Sequence, residues 1–360
     1  MRIAITGASG NIGTALLRRL GAGGEHEVVG IARRIPEGGT PPYSGASWHS
    51  VDLAEADAET KLRTAFAGVD AVVHLAWGFQ PSHNLDYLYR LGVGGTAAVL
   101  QAAQAAGVRH LIHMSSVGAY SRAPGQRVDE SADREGIASL AYSQHKAEAE
   151  RLLDTYERTA SIVGEQPMTV SRLRPGFVVQ PDAASALLRY GLPGFVPARI
   201  VTLLPILPLD RKLSIPLVHS DDLADGIVRV IERRAPGAFN FAGEPPITRD
   251  DIAAALGARP VQLPAKVLSM LAGVGWHARV QALDPGWIDL AFSVPLLNTN
   301  RARTELGWAP ALDTREALRM TVQAMADRRG GPSPVLRVRS GLDQLRKLVT
   351  AGPLGNRRLP

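Results

Sequence analysis

The sequence predicts an α/β fold: a Rossmann-type doubly wound parallel sheet carrying a smaller C-terminal substrate lobe. Three observations predict it. Short apolar runs alternate with longer helical patterns through the first half of the chain. A glycine-spaced loop, with Gly7, Gly10 and Gly13, joins the first apolar run to the first helical pattern. After Arg174 the regularity gives way to short elements punctuated by Pro193, Pro197, Pro205, Pro208 and Pro216.

The strands are expected over 2–6, 27–32, 47–51, 71–75, 110–115 and 169–173, each a short apolar run. Helices are expected over 12–21, 56–67, 84–106 and 140–159, where apolar residues recur at helical spacing. Strands that alternate with helices are joined by crossovers, so the sheet is parallel and covered on both faces. Such sheets bind ligands beyond the carboxyl ends of their strands, and every motif below falls there. The domain reading is a dinucleotide-binding unit over 1–181 and a substrate lobe over 182–329, with 218–243 returning to the core. Residues 330–360 read as a basic flexible tail with one short helix over 342–349.

Composition narrows the class. The chain has 360 residues, 45% hydrophobic and 21% charged, which suits a globular protein with a large core. It has no cysteine, so disulfides, zinc thiolates and thiol catalysis are excluded, and a reducing, cytoplasmic setting is expected. The opening run Met1–Thr6 leads straight into the glycine loop and lacks the form of a secretory signal. The longest apolar stretch, 195–209, is broken by Arg199 and three prolines, so no membrane span is expected. Over 328–360, eight Arg and Lys oppose the single acid Asp343, a balance of +7 that leaves −1 for the rest of a chain whose total is +6. The positive charge belongs to the tail, so nucleic-acid binding by the body gains no support.

The glycine loop runs Thr6-Gly7-Ala8-Ser9-Gly10-Asn11-Ile12-Gly13. Its first glycine permits a tight turn, its second lets a pyrophosphate approach the backbone, and its third lets helix and strand pack closely. The helix that follows offers free N–H groups and a partial positive charge to phosphates. Gly7, Ser9, Gly10, Asn11, Ile12 and Gly13 are therefore expected at a dinucleotide. The second strand ends in Arg33-Arg34, with no acid before Glu37. An acid there would take the ribose 2′-hydroxyl of NAD, whereas arginine suits the 2′-phosphate of NADP. NADP is thus the preferred cofactor and NAD the alternative, unless the arginines are only solvated surface groups. Asp52 and Leu53 follow the third strand, where the carboxylate is placed either to meet the adenine or to cap the next helix.

Tyr142 and Lys146 stand four apart on an expected helix, hence on one face. A free phenol has a pKa near ~10, and a nearby ammonium would lower it toward the working range of a base. The segment Met114-Ser115-Ser116 ends the fifth strand at the ligand-binding edge, and a serine there is placed to donate to a developing oxyanion. Either serine is open, on the residues alone, to being a cap or loop hydroxyl.

These segments carry a resemblance. TGASGNIG, HLAW at 74–77, MSSVGAY at 114–120 and YSQHK at 142–146 resemble the extended short-chain dehydrogenase/reductases, and within them the NAD-dependent epimerase/dehydratase family. LRPGFVVQP at 173–181, VHSDDLADGI at 218–227, FNFAG at 239–243 and ELGWAP at 305–310 agree, so the resemblance spans roughly 1–325. It implies Ser116 as the catalytic serine beside Tyr142 and Lys146. It also implies that Lys146 holds the nicotinamide ribose, that His74, Leu75 and Ala76 line the cofactor channel, and that Pro175 and Gly176 touch the nicotinamide side. Two departures stand out. The family often places Asn where this chain has Gly92, and its sugar-nucleotide 4,6-dehydratases place Thr-Asp-Glu where this chain has Ser116-Val117-Gly118. The second disfavours dehydration.

The expected activity is NAD(P)-dependent hydride transfer at a carbinol or ketone carbon, as net reduction or as epimerisation. The expected partner is a small carbonyl, alcohol or nucleotide-sugar substrate, and a homodimer through the helices at 84–106 and 140–159 is implied by analogy. No metal is expected. The rival is a non-catalytic NAD(P)-binding sensor, against which retention of Ser116, Tyr142 and Lys146 argues. Residues 187–217 are rich in Leu, Pro, Val and Ile, which keeps an apolar substrate in view beside a diphosphate bound by Arg189, Arg199, Arg211 or Lys212.

Overall fold

A computed structural model describes residues 1–37, 39–78, 84–163, 168–191, 205–278 and 284–338. Strands form on the apolar runs: β1 (Arg2–Thr6), β2 (Glu27–Ala32), β3 (Ala46–Ser50), β4 (Ala71–His74), β5 (His110–Met114) and β7 (Thr169–Pro175), with β12 (Gly237–Phe241) joining later. These seven strands make one sheet in the order β12-β7-β5-β4-β1-β2-β3. Every pairing within it is parallel. The chain winds outward from β1 to β3, then crosses back to β4 and winds the other way. The switch falls between β1 and β4, where Thr6 is registered with His74. A parallel sheet opens a ligand crevice at that reversal.

The helices are α1 (Asn11–Gly23), α2 (Ala58–Ala65), α3 (Leu85–Tyr89), α4 (Gly95–Ala105), α5 (Ala141–Val163), α6 (Ala184–Gly191), α7 (Ser220–Arg233), α8 (Arg249–Leu256), α9 (Ala265–His277), α10 (Pro285–Ala291), α11 (Asn300–Leu306) and α12 (Thr314–Ala326). Alternation along β1 divides the core. Ile3 and Ile5 pack with Leu16 and Leu20 of α1 and Ile227 and Val230 of α7. Ala4 faces the other way, toward Leu62 of α2, Val99 of α4 and Leu153 of α5. None of the described helices is long and apolar enough to cross a membrane.

The lobe is built from short pairs flanked by α8 to α10. β8 (Phe177–Val179) pairs with β11 (Leu217–His219), β9 (Ile206–Leu209) with β14 (Arg259–Gln262), and β10 (Ser214–Ile215) with β13 (Ile247–Thr248). A further pair, β6 (Arg127–Val128) with β15 (Leu296–Leu297), ties the loop after β5 to this lobe.

Two expectations need correction. The single helix over 84–106 is interrupted by a π-helical turn, Arg90–Gly94. The turn lies where Gly92 faces the Trp77 indole, so closely that a Cβ at 92 would stand 2.9 Å from the ring. Such turns reseat one stretch of a helix against its neighbours. The second correction concerns the tail. Within 331–338, Gly331, Ser333 and Leu336 are buried against the body, with Leu336 1% exposed beside Ala183 and Ala186. Ser333 is buried, and its Oγ donates to the Ser9 carbonyl at 2.8 Å. Its Gly and Pro content had suggested looseness, but two apolar side chains and one hydroxyl are enough to dock so short a strap. The rest of the tail, 339–360, including the helix expected over 342–349, lies outside the described residues.

Candidate active site

A cavity of about 530 Å³ runs along the carboxyl edge of the sheet, from Arg33 and Asp52, past the glycine loop, to Ser116, Tyr142 and the lobe. The residues expected from the sequence at the cofactor lie on it, among them Ser9, Leu53, Leu75, Ala76, Lys146 and Pro175, with one exception: His74, expected to line the channel, is buried behind it, its ring bonded to the Thr6 and Thr96 hydroxyls. A second depression of about 640 Å³, around Asp154, Arg172 and Arg301, contains none of these groups.

The glycine loop fits a pyrophosphate. Gly7 adopts φ +73°, and a Cβ there would meet the Ala76 backbone nitrogen at 2.8 Å. A Cβ at Gly13 would collide with the Gly7 carbonyl oxygen. Gly7 N donates to the Ile31 carbonyl at 2.8 Å, which holds the turn against β2. Gly10 precedes α1 without a side-chain cap, and the first turn holds no acid. The helix N-terminus is therefore left to an anion. Asn11 serves the scaffold: its Nδ2 donates to the Val178 carbonyl at 3.0 Å, and its Oδ1 accepts from Gln180 at 2.7 Å.

At the other end, Arg33 donates to the Tyr87 hydroxyl at 2.9 Å, and that hydroxyl donates to Asp52 at 3.2 Å. Arg33 and Asp52 are 3.9 Å apart. The acid missing from the end of β2 is thus supplied from the end of β3. Of the two roles open to Asp52, capping the next helix is not the one observed: its Oδ1 accepts from Ala54 N in a local turn, and α2 begins after Asp57. Tyr87 is a site residue that the sequence did not disclose. Its signal was lost because it belongs to a helix expected to be only a crossover.

Tyr142 and Lys146 lie on the first turns of α5, and Ser116 follows β5. Ser116 Oγ accepts from Gly118 N at 3.0 Å and is hydrogen-bonded with the Tyr142 hydroxyl. The two serines are now distinct, because Ser115 Oγ donates to the buried Glu150 carboxylate. Glu150 is also held by Arg174 and Arg134, which keep it below the usual carboxylate range against the penalty of burial. Lys146 Nζ donates to the Met114 carbonyl at 2.7 Å and stands 3.5 Å over the Trp77 ring. Burial pushes Lys146 well down from its ordinary value, with Glu150 opposing.

The phenol departs from expectation. Burial pushes Tyr142 up to about 12, with the Ser116 hydrogen bond acting the other way. The lowering expected from a nearby ammonium is not found, and burial dominates because the ring is enclosed by two indoles. Trp77 meets it edge-on at 6.4 Å, and Trp287 lies at 5.0 Å tilted by 34°. Neither tryptophan was singled out from the sequence. Trp77 ends the quoted HLAW segment, whereas Trp287 comes from α10, with no local signal linking it to α5.

A family model described as the NAD dependent epimerase/dehydratase family matches residues 3–242. An uncharacterised protein of Mycobacterium tuberculosis is 29% identical over 337 residues, covering 92% of this chain and 31% of that protein. The chain therefore spans about a third of that relative's length. Sterol demethylase protein B of Methylococcus capsulatus is 31% identical, over 59% of this chain and 67% of its own. The crystal structure of the Thermus thermophilus UDP-glucose 4-epimerase in complex with NAD shares the fold, at TM-score 0.66 and 21% identity, covering 90% of this chain and 99% of that one.

Proposed function

The chain belongs to the NAD dependent epimerase/dehydratase family, and from that premise we propose that it is an NAD(P)-dependent oxidoreductase or epimerase working at a carbinol or ketone carbon. The observation that carries this reading is the hydrogen bond between Ser116 and Tyr142 inside the cavity that begins at the glycine loop. Gly7, Gly10 and Gly13, with the N-terminus of α1, would hold the dinucleotide's pyrophosphate. When bound, the nicotinamide supplies the acceptor, or in reverse the donor, for the hydrogen and two electrons of the carbinol C–H bond.

The residues do the rest. Tyr142 takes the proton of the substrate hydroxyl, or returns it to the carbonyl oxygen. Ser116 donates to that oxygen as its charge develops. Lys146, kept in place by the Met114 carbonyl and the Trp77 ring, would hold the nicotinamide ribose and, with the cofactor bound, favour the ionised phenol. Because burial raises the phenol, oxidation of an alcohol is the direction that gains from higher pH.

NADP is the preferred cofactor in this reading, through Arg33 and Arg34, with Asp52 reducing the margin. Fluorescence titration of both cofactors tests it: NADP should bind more tightly, and the Arg33→Ala/Arg34→Ala double variant should lose that preference. Equal affinities in the parent chain would refute it. The names of the relatives point both to sterol chemistry and to a sugar nucleotide, so the substrate stated here is a small carbonyl or alcohol compound of either kind. A cytoplasmic homodimer remains the proposed setting. The chemistry is tested with Tyr142→Phe, which should keep cofactor affinity while turnover of a reactive carbonyl falls about 10²- to 10⁴-fold.

A further inference from the structure

Beyond Tyr142 and Ser116 the cavity is walled by side chains from separate stretches of chain: Val117 after β5, Phe177 in β8, Ile215 in β10, and Trp287, Leu290 and Val294 in and after α10. All six are apolar in character. Phe177 is 42% exposed on this wall, a large apolar surface kept open in a cleft. Leu290 comes close to the reactive groups. A Cβ placed on Gly118 would lie 3.3 Å from the Tyr142 ring, 3.4 Å from Ser116 Oγ and 3.5 Å from a Leu290 methyl. A molecule whose oxygen reaches Ser116 and Tyr142 must lay its carbon skeleton against Leu290 and Trp287.

Among the described residues of this wall a diphosphate finds no cation. Its charge must be met by cations or converging N–H groups to leave water. Among the described residues lining the cavity, the cations are Arg33, Arg34 and Lys146. The two arginines lie at the far end, after β2, where Arg33 already meets Tyr87 and Asp52. Lys146 is buried between the Met114 carbonyl and Trp77. Arg211 and Lys212 are exposed and do not line the cavity. Arg199 and the Arg189 side chain lie outside the described residues. The start of α10 carries the Asp284 carboxylate on Gly286 N, an acid where an anion would need a donor.

Resting on the oxidoreductase reading above, we propose that the substrate is a ketone or secondary alcohol on a rigid, largely apolar ring system, aromatic or fused alicyclic, and not a sugar nucleotide. The ring system would lie on Trp287 and Leu290, with its one oxygen at Ser116 and Tyr142.

Calorimetry on the full chain, saturated with its tighter-binding oxidised cofactor, tests this with 2-tetralone and UDP-glucose as probes. A ketone and an oxidised cofactor do not react, so 2-tetralone binding is read without chemistry, and UDP-glucose, an alcohol that this cofactor could oxidise, is compared with it on the Tyr142→Phe variant. The expected result is that 2-tetralone binds at least tenfold more tightly than UDP-glucose. Trp287→Ala should weaken it by roughly tenfold. Leu290→Asp, a second variant on the same wall, should weaken it as well, with folding of both checked by circular dichroism. The proposal falls if 2-tetralone does not bind, if UDP-glucose binds as tightly, or if both folded variants bind 2-tetralone like the parent. Turnover separates this from the reading beneath it. Tight binding of 2-tetralone without reduction by the reduced cofactor supports the pocket and sinks the Ser116-Tyr142-Lys146 chemistry. Tyr142-dependent conversion of UDP-glucose sinks the pocket and keeps the chemistry.

Discussion

Burial disfavours the charge on Lys146, and Trp77 is a neighbour that offsets part of this penalty. A cation over an indole face gains about 1–2 kcal/mol when desolvated. Trp77→Leu should therefore lower the already depressed lysine pKa further, read by NMR titration of labelled lysine. An unchanged titration would show that the ring only fills space. Gly92→Asn should act in the same direction, because any side chain at 92 displaces the Trp77 ring. The adjacent serines make a second contrast. Ser116→Ala removes the hydrogen-bond partner of Tyr142 and should cost turnover, whereas Ser115→Ala removes one donor from Glu150 and should cost about 1 kcal/mol of stability with little effect on rate. Turnover and chemical denaturation of the two variants distinguish these outcomes. Tyr142 and Lys146 were legible in the sequence because both lie on one helix, four residues apart. Trp287 was not, because it reaches Tyr142 from 145 positions away, and no local pattern records such a contact.

Among elements, the strap at 331–338 departs furthest from its sequence reading. Ser333 holds the Ser9 carbonyl within the phosphate loop, and Leu336 fills the slot between Ala183 and Ala186. Val335 and Leu336 also line the cofactor cavity. A chain cut after Arg329 should therefore bind the dinucleotide about tenfold or more weakly, as expected for losing a buried hydrogen bond and a buried leucine that brace the loop. A chain cut after 338 should bind like the parent. Cofactor titration of the two truncations decides the matter, and equal affinity in both would show that the strap is idle. The regular elements were legible for a different reason. Each strand and helix of the first half carries its own period, while the strap has no period and is placed by where Ala183 and Ala186 leave room. The interruption of the helix over 84–106 was hidden likewise, since the ring that Gly92 accommodates comes from another segment.

For the molecule as a whole, three histidines in the sheet link stability to pH. Burial lowers His74 to about 3 and His110 to about 4, and it holds His113 well below its ordinary value. In the unfolded chain each titrates near ~6.5, so below that pH the unfolded state binds more protons and is favoured. Each group removes about 1.4 kcal/mol per pH unit across the window between its two pKa values. The melting temperature should accordingly fall steadily from pH 6.5 toward pH 4, and a flat profile there would show that the histidines are accommodated when charged. The glycine loop and the strand–helix alternation made the doubly wound sheet legible, because one loop at one topological position constrains the whole winding. The smaller lobe was only partly legible, since its two- to four-residue strands are specified by their partners. In the proposed function this carboxyl edge transfers hydrogen between a nicotinamide and a carbon held at Ser116 and Tyr142. That transfer is tested most directly by supplying reduced cofactor deuterated at the transferring position together with a ketone substrate such as 2-tetralone. The account predicts deuterium on the carbinol carbon of the product, with transfer slowed about 10²- to 10⁴-fold in Tyr142→Phe at unchanged cofactor affinity. An unlabelled product, or transfer at the parent rate in Tyr142→Phe, would contradict it.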